Sequence, residues 1–136
     1  MQWDGEVNGG FTSGTPWLAV NENCREINVK DSLADPDSIF AYYQKLVEMR
    51  KQYDVISDGS YEPVFVDNQG IMSYKRVLNG EKLLVFANFT RQEQLVKQNE
   101  VLDDWEVLLS NYESVKIFGN KVALKPFGAV ILYVSR

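Results

Sequence analysis

Three pairs of acidic residues lie close enough in sequence to share the work of proton transfer. They are Glu22 and Glu26, Asp35 and Asp37, and the adjacent Asp103 and Asp104. General acid/base chemistry at a cleaved bond needs such pairs, one carboxyl holding a proton while the other accepts one. Other catalytic sets are missing. The chain has no histidine, which removes histidine-dependent triads, histidine metal sites and histidine proton shuttles. Its single cysteine, Cys24, has no partner for an internal disulfide. Each acidic pair also has a plainer use. Asp103-Asp104 precedes a strand as a turn, Asp35 and Asp37 stand where a helix begins, and Glu22 and Glu26 lie in a polar loop. The structural use is the stronger reading for all three, so no residue is assigned a catalytic role, and no metal or cofactor is expected. Asn8-Gly9-Gly10 is not followed by a helix in the register that a phosphate-binding loop requires.

A second candidate set is aromatic. Trp3, Phe11 and Trp17 fall in a glycine-rich opening stretch, MQWDGEVNGGFTSGTPW, and rings of this kind stack on the apolar C–H faces of sugars. Burial in a larger structure is the competing use and the stronger one. The net charge of −5, from 14 basic and 19 acidic residues, comes without a basic cluster and excludes nucleic acid as a partner. Apolar runs such as 83–87 and 129–134 fall far below the ~20 residues of a membrane-spanning helix. The N-terminus carries no secretory pattern, so a cytoplasmic location is expected if this is the natural start. Asn88-Phe89-Thr90 matches a glycosylation sequon, but inside a strand-like run.

The elements that must position these residues follow from periodicity. Residues 1–34 show no sustained period and read as loop, which is long for a compact domain. Asp35-Pro36-Asp37-Ser38 is a helix-start signal with Asp35 as N-cap and Pro36 at the first helical position. The helix that follows carries a broad apolar stripe through Ile39, Phe40, Tyr43, Leu46, Val47 and Met49, which needs a large surface to pack against. From Tyr61 the pattern changes to short β-rich runs near 61–66, 71–78, 82–90, 94–97, 105–110, 114–118, 121–125 and 128–135. Asn79-Gly80 is the strongest hairpin signal and Gly119-Asn120 a second. Pro63 places the first run at a sheet edge, and the runs 82–89 and 129–134, apolar on both phases, read as central strands. The fold class is therefore mainly β, an antiparallel Greek-key sandwich of about eight strands preceded by one amphipathic helix.

Blocks spread along the chain carry a resemblance. Met1-Gln2-Trp3-Asp4, Asn8-Gly9-Gly10-Phe11-Thr12, Pro16-Trp17, Val20-Asn21, Glu26-Ile27-Asn28-Val29, Asp35-Pro36-Asp37-Ser38-Ile39-Phe40 and Leu46-Val47-Glu48-Met49-Arg50-Lys51 closely resemble the C-terminal third of α-glucosidases in the alpha-amylase superfamily. The nearest types are oligo-1,6-glucosidase, dextran glucosidase and trehalose-6-phosphate hydrolase. The resemblance weakens after about Asn88 and returns at Leu124-Lys125-Pro126. It implies that residues 1–56 are a remnant of a catalytic TIM barrel, an irregular segment plus the last barrel helix, and that residues 57–136 are the C-terminal sandwich. In that family an Asp nucleophile, a Glu acid/base and a second Asp sit on the barrel and retain the anomeric configuration. All three would lie upstream of Met1. Gln2, Trp3 and Asp4 are implied to be substrate-proximal in the parent enzyme.

The reading is thus a non-catalytic C-terminal fragment of an intracellular α-glucosidase acting on α-1,6 or related bonds of short oligosaccharides. It is expected to be inactive alone, with the missing barrel as its partner and self-association through the helix stripe as a further contact open to it. The alternative is a stand-alone carbohydrate-binding or protein-interaction sandwich, with Trp105, Tyr112, Phe118 and Phe127 as platform candidates.

Overall fold

In the computed structural model, which describes residues 1–64 and 69–135, the β-rich half of the chain closes as two antiparallel sheets. The strands are β1 (Ser60–Pro63), β2 (Ile71–Leu78), β3 (Glu81–Asn88), β4 (Gln94–Lys97), β5 (Glu106–Ser110), β6 (Lys116–Phe118), β7 (Lys121–Leu124) and β8 (Ala129–Ser135). The larger sheet is ordered β1-β2-β3-β8-β5 and the smaller β4-β7-β6. The chain leaves the larger sheet at β4, returns with β5, leaves again for β6 and β7, and closes with β8 between β3 and β5. These crossings give the sandwich its Greek-key character. The apolar runs 81–88 and 129–135 occupy the centre, and Pro63 lies in an edge strand, where its missing N–H breaks no ladder. Residues 65–66 of the expected first strand lie outside the described residues.

The β2–β3 loop carries φ of 47° at Asn79 and 90° at Gly80. Positive φ at both central residues is what a two-residue loop needs to follow the right-handed twist of its strands.

Cross-strand register sorts the side chains into faces. Lys75 opposes Leu84, which opposes Leu132, and Ser73 opposes Phe86, which opposes Val130. Leu84, Phe86, Val130 and Leu132 therefore share one face and, with Val96, Val122 and Leu124 of the smaller sheet and with Leu102 and Trp105, form the core. Phe86, Leu102, Leu132 and Val122 are fully buried, each worth about 1.5–3 kcal/mol of transfer free energy. The opposite face of the larger sheet presents Tyr74, Arg76, Leu83 and Tyr133. There the Tyr133 ring meets Tyr53 edge-on at 5.1 Å, next to the short helix α3 (Asp54–Ser57).

The structure divides into two units, Met1–Met49 and Arg50–Arg136. In the first, the stretch 1–34 is more ordered than its composition suggests. It holds a left-handed turn at Val7–Gly10, a 3-10 turn at Glu22–Arg25 and a helix, α1 (Val29–Ala34). Asn28 caps α1: its Oδ1 accepts the Asp31 N–H at 2.9 Å while its Nδ2 donates to the Asp31 carboxylate at 2.7 Å, a local variant of the reciprocal capping box. The next helix, α2 (Ile39–Gln52), starts later than expected. Asp35 precedes a proline and is held extended at φ −97°, ψ 110°, as steric conflict with the proline ring demands. The Asp35 carboxylate takes the Asp37 N–H at 2.9 Å, and the cap is Ser38, whose Oγ accepts the Ala41 N–H at 3.1 Å and donates to the Ser32 carbonyl at 2.7 Å.

Candidate functional site

Gln2, Trp3 and Asp4 form one extended segment fixed from both sides. The first N–H groups of a helix have no partner within it; in α1 the Val29 and Lys30 N–H groups bond to the Gln2 and Trp3 carbonyls at 3.0 and 2.9 Å. On the other side the Trp3 and Asp4 N–H groups donate to the Gly9 carbonyl at 2.7 and 3.2 Å. That carbonyl is aimed by an unusual backbone run. Asn8, Gly9 and Gly10 all have positive φ, of 59°, 60° and 66°, and the Asn8 amide holds the loop beyond by donating to the Thr12 and Gly14 carbonyls at 3.0 and 2.9 Å. Gly10 has a second reason to lack a side chain: a Cβ there would lie 2.6 Å from the Asp4 carboxylate.

The three side chains have different surroundings. Gln2 turns inward, where its Nε2 donates to Asn23 Oδ1 at 2.9 Å and to the Ile27 carbonyl at 2.7 Å. Asp4 accepts the Glu6 N–H at 3.0 Å, closing a turn. Trp3 is half exposed, at 50%, and is the member of the set whose ring is free to meet another molecule. Phe11 and Trp17 are more open still, Trp17 at 92%. They line a groove of 360 Å³ with Met1, Gln2 and residues 16–21. Within this chain the aromatic set is a surface feature.

The carboxylate pairs take structural positions. Asp103 Oδ1 accepts the Gly119 N–H at 2.8 Å and so ties the segment before β5 to the β6–β7 turn. Asp35 closes α1, and Glu22 opens the 3-10 turn Glu22–Arg25, with Glu26 at its C-cap. Among the described residues no group of three metal-ligating side chains occurs, and no helix is long and apolar enough to cross a membrane. The sequon asparagine, Asn88, is 3% exposed and fully bonded. Of the platform candidates on the sandwich, Trp105 is in the core at 6% exposure, and the Tyr112 hydroxyl donates to the Pro126 carbonyl at 2.8 Å beneath the Lys125 ammonium. Phe118 and Phe127 are exposed, at 48% and 56%.

The apolar stripe of α2 is open. Ile39, Phe40, Tyr43 and Val47 are exposed, Ile39 at 89%, and Met49 is the helix's one buried residue. A surface this apolar on one helix is the mark of a partner surface.

Residues 1–59 match the family model of the alpha amylase catalytic domain, and residues 71–131 match that of the alpha-amylase SusG C-terminal domain. An oligo-1,6-glucosidase of Heyndrickxia coagulans is 46% identical over 136 residues, all of this chain and 24% of the relative. A trehalose-6-phosphate hydrolase of Bacillus subtilis (strain 168) is 41% identical over 140 residues, covering all of this chain and 25% of the relative. The crystal structure of Bacillus licheniformis trehalose-6-phosphate hydrolase superposes with a TM-score of 0.89 at 37% identity, over 99% of this chain and 25% of that one. The chain spans about a quarter of the length of the relatives it matches.

Proposed function

Because the chain belongs to the alpha-amylase superfamily and matches it from the catalytic domain into the C-terminal domain, we propose that it is the non-catalytic C-terminal part of an α-glucosidase. The parent enzyme hydrolyses α-1,6 or related glucosidic bonds of short oligosaccharides in the cytoplasm, with retention of configuration. Residues 1–56, an irregular segment plus the last barrel helix, complete a TIM barrel whose strands carry the catalytic carboxylates, and the sandwich, residues 57–136, buttresses that barrel. Gln2, Trp3 and Asp4 belong to the wall of the substrate pocket, with Trp3 facing the ligand and Gln2 and Asp4 holding the segment in place.

The observation that carries this reading is the ordered pair of matches together with the bare apolar face of α2. A helix that exposes Ile39, Phe40, Tyr43 and Val47 has a stripe suited to the neighbouring helices and strands of a barrel. The test is hydrolysis of an aryl α-glucoside by the purified chain, alone and joined to the upstream barrel of a related glucosidase. No turnover alone and turnover when joined is the expected result. Turnover by the chain alone, surviving repurification, overturns the reading.

A further inference from the structure

The sandwich has two outer faces of unlike character. On the smaller sheet Lys97 stands opposite Lys121, and Lys116 opposite Ala123, while Val96 and Val122 on the alternate positions enter the core. Leu95 and Phe118 stand among these lysines as single apolar side chains, which is ordinary on a surface. A lysine-rich outer face suits water, the usual condition of an antiparallel sheet packed on one side only. The larger sheet does not follow that pattern.

The first row across its outer face, Arg76, Leu83 and Tyr133, is covered. α3 packs on β2 and β3, its Val55 carbonyl takes the Arg76 guanidinium at 3.1 Å, and Tyr53 meets Tyr133 edge-on. Val55 and Leu83 are accordingly 0% and 2% exposed. Past α3 the face opens. The next row is Tyr74, Val85 and Ile131, and the one after it Met72, Ala87 and Ala129. Neither row holds a charge. Their side chains are half-buried or, at Met72, 50% exposed, whereas Phe86 and Leu132 on the alternate positions of the same strands are fully buried. An uncharged apolar surface across three central strands marks a place where another body sits.

We infer that these two rows seat the rest of the catalytic domain, so that the parent enzyme's barrel packs on the outer face of the larger sheet and the smaller sheet faces water. The inference rests on the reading of the chain as the C-terminal part of such an enzyme, and adds which face docks. Two observations name the occupant. The match to the catalytic domain runs to residue 59, so Tyr53 and α3, which cover the first row, belong to that domain's last residues, and the interface begins inside this chain. The chain spans 24% of the oligo-1,6-glucosidase relative, so most of such an enzyme lies outside the matched stretch and can cover the rows beside α3. The apolar stripe of a barrel helix suits a sheet face without charges.

The test is hydroxyl-radical footprinting, read by mass spectrometry, of the 136-residue chain alone and joined to the upstream barrel of a related glucosidase. Turnover of an aryl α-glucoside is measured on the same samples. Oxidation of Met72 and Tyr74 should slow about fivefold or more on joining, as these side chains pass into the dry centre of an interface, while Leu95 and Phe118 keep their rates. Met72→Lys should leave the urea midpoint of the chain alone unchanged and shorten the joined protein's half-life at raised temperature about tenfold, because it buries an unpaired charge. Leu95→Lys should do neither. Turnover with Met72 and Tyr74 unprotected, or with protection at Leu95 and Phe118 instead, overturns the docking face and leaves the reading of the chain standing. Protection of Met72 and Tyr74 without turnover does the reverse. Neither turnover nor protection overturns both. Protection that appears in the chain alone as its concentration rises gives the face to a second copy and overturns the inference, as does an unchanged half-life of the joined Met72→Lys protein.

Discussion

The Arg76 guanidinium caps α3 by donating to the Val55 carbonyl, Nε to oxygen at 3.1 Å, while its Nη2 reaches the Gly59 carbonyl at 2.7 Å. One side chain of β2 thus satisfies carbonyls at and just beyond the end of a four-residue helix, where a cation is also favoured by the helix dipole. Gly59 is part of the same arrangement: a Cβ there would fall 2.4 Å from the Val55 carbonyl oxygen. Arg76→Ala should destabilise the chain by about 2–3 kcal/mol, the worth of charge-assisted bonds to buried carbonyls. Arg76→Lys should recover less than half, because an ammonium lacks the planar fork. Gly59→Ala should cost about 1–3 kcal/mol by overpacking the same contact. Urea denaturation midpoints read all three.

Asn88 joins three backbone segments. Its Nδ2 donates to the Gln92 and Lys125 carbonyls at 2.8 and 2.9 Å, and its Oδ1 accepts the Thr90 N–H and hydroxyl at 2.9 and 2.8 Å. Asn88→Ala should lower stability by about 2–4 kcal/mol, since it strands several buried partners at once. Expression in a glycosylating host should leave the wild-type mass unchanged, because a residue 3% exposed offers no access to its amide.

Much of the sandwich is legible in the sequence because its signals are local. Asn79-Gly80 specifies a hairpin through its own φ preferences, Pro63 marks an edge through its missing donor, and runs apolar on both phases can only be central. Where two local signals stand together, the reading takes only one. Asp35 and Ser38 are both good N-caps, and the chain uses both: the Asp35 carboxylate takes the Asp37 N–H and closes a turn over residues 36–38, and Ser38 Oγ takes the Ala41 N–H where the helix begins. The cap of α1 was readable in Asn28-Val29-Lys30-Asp31, but six residues carry too little periodicity to announce a helix. In the run 105–110, a register shift between Val107 and Leu109 breaks the alternation, leaving Trp105 buried and Val107 41% exposed. Of the candidate site, Gln2, Trp3 and Asp4 are visible only through resemblance, because the Gly9, Val29 and Lys30 backbone groups that fix them come together only in the folded chain.

Two ionisable groups set limits on the pH range of stability. The Tyr133 hydroxyl donates to Glu81 Oε1, and that bond, with burial second, raises the Tyr133 pKa. The fold favours the neutral phenol, so this contribution is complete below the unfolded value of about 10 and is lost as pH rises through the higher folded value. Glu62 behaves oppositely. Its hydrogen bond and charge contact with Lys75 lower its pKa, so its contribution is present above the unfolded carboxyl value and disappears as pH falls through the folded one. Urea midpoints across pH should show Tyr133→Phe flattening the alkaline limb alone and Glu62→Gln softening the acid limb alone.

Phe127 is a strained residue with a simple remedy. Lys125, Pro126, Phe127 and Gly128 form a turn closed by the Gly128 N–H to the Lys125 carbonyl at 2.9 Å, and the third position of such a turn has φ of 53° at Phe127. Proline suits the second position, whereas the third asks for glycine or asparagine, because a Cβ crowds the following carbonyl when φ is positive. The ring gives little in return, being 56% exposed. Its backbone is held in place by others, since Asn111 Nδ2 donates to the Phe127 carbonyl at 2.9 Å and Asn111 Oδ1 accepts the Ala129 N–H at 2.7 Å. Phe127→Gly should therefore raise stability by about 1 kcal/mol through relief of the left-handed backbone. Phe127→Asn should do nearly as well, and Phe127→Val, branched at Cβ, should lower it. A rank order of Gly, Asn, Phe, Val in urea midpoint is the expected result, and Val at or above Phe would show that the ring and not the backbone governs this turn.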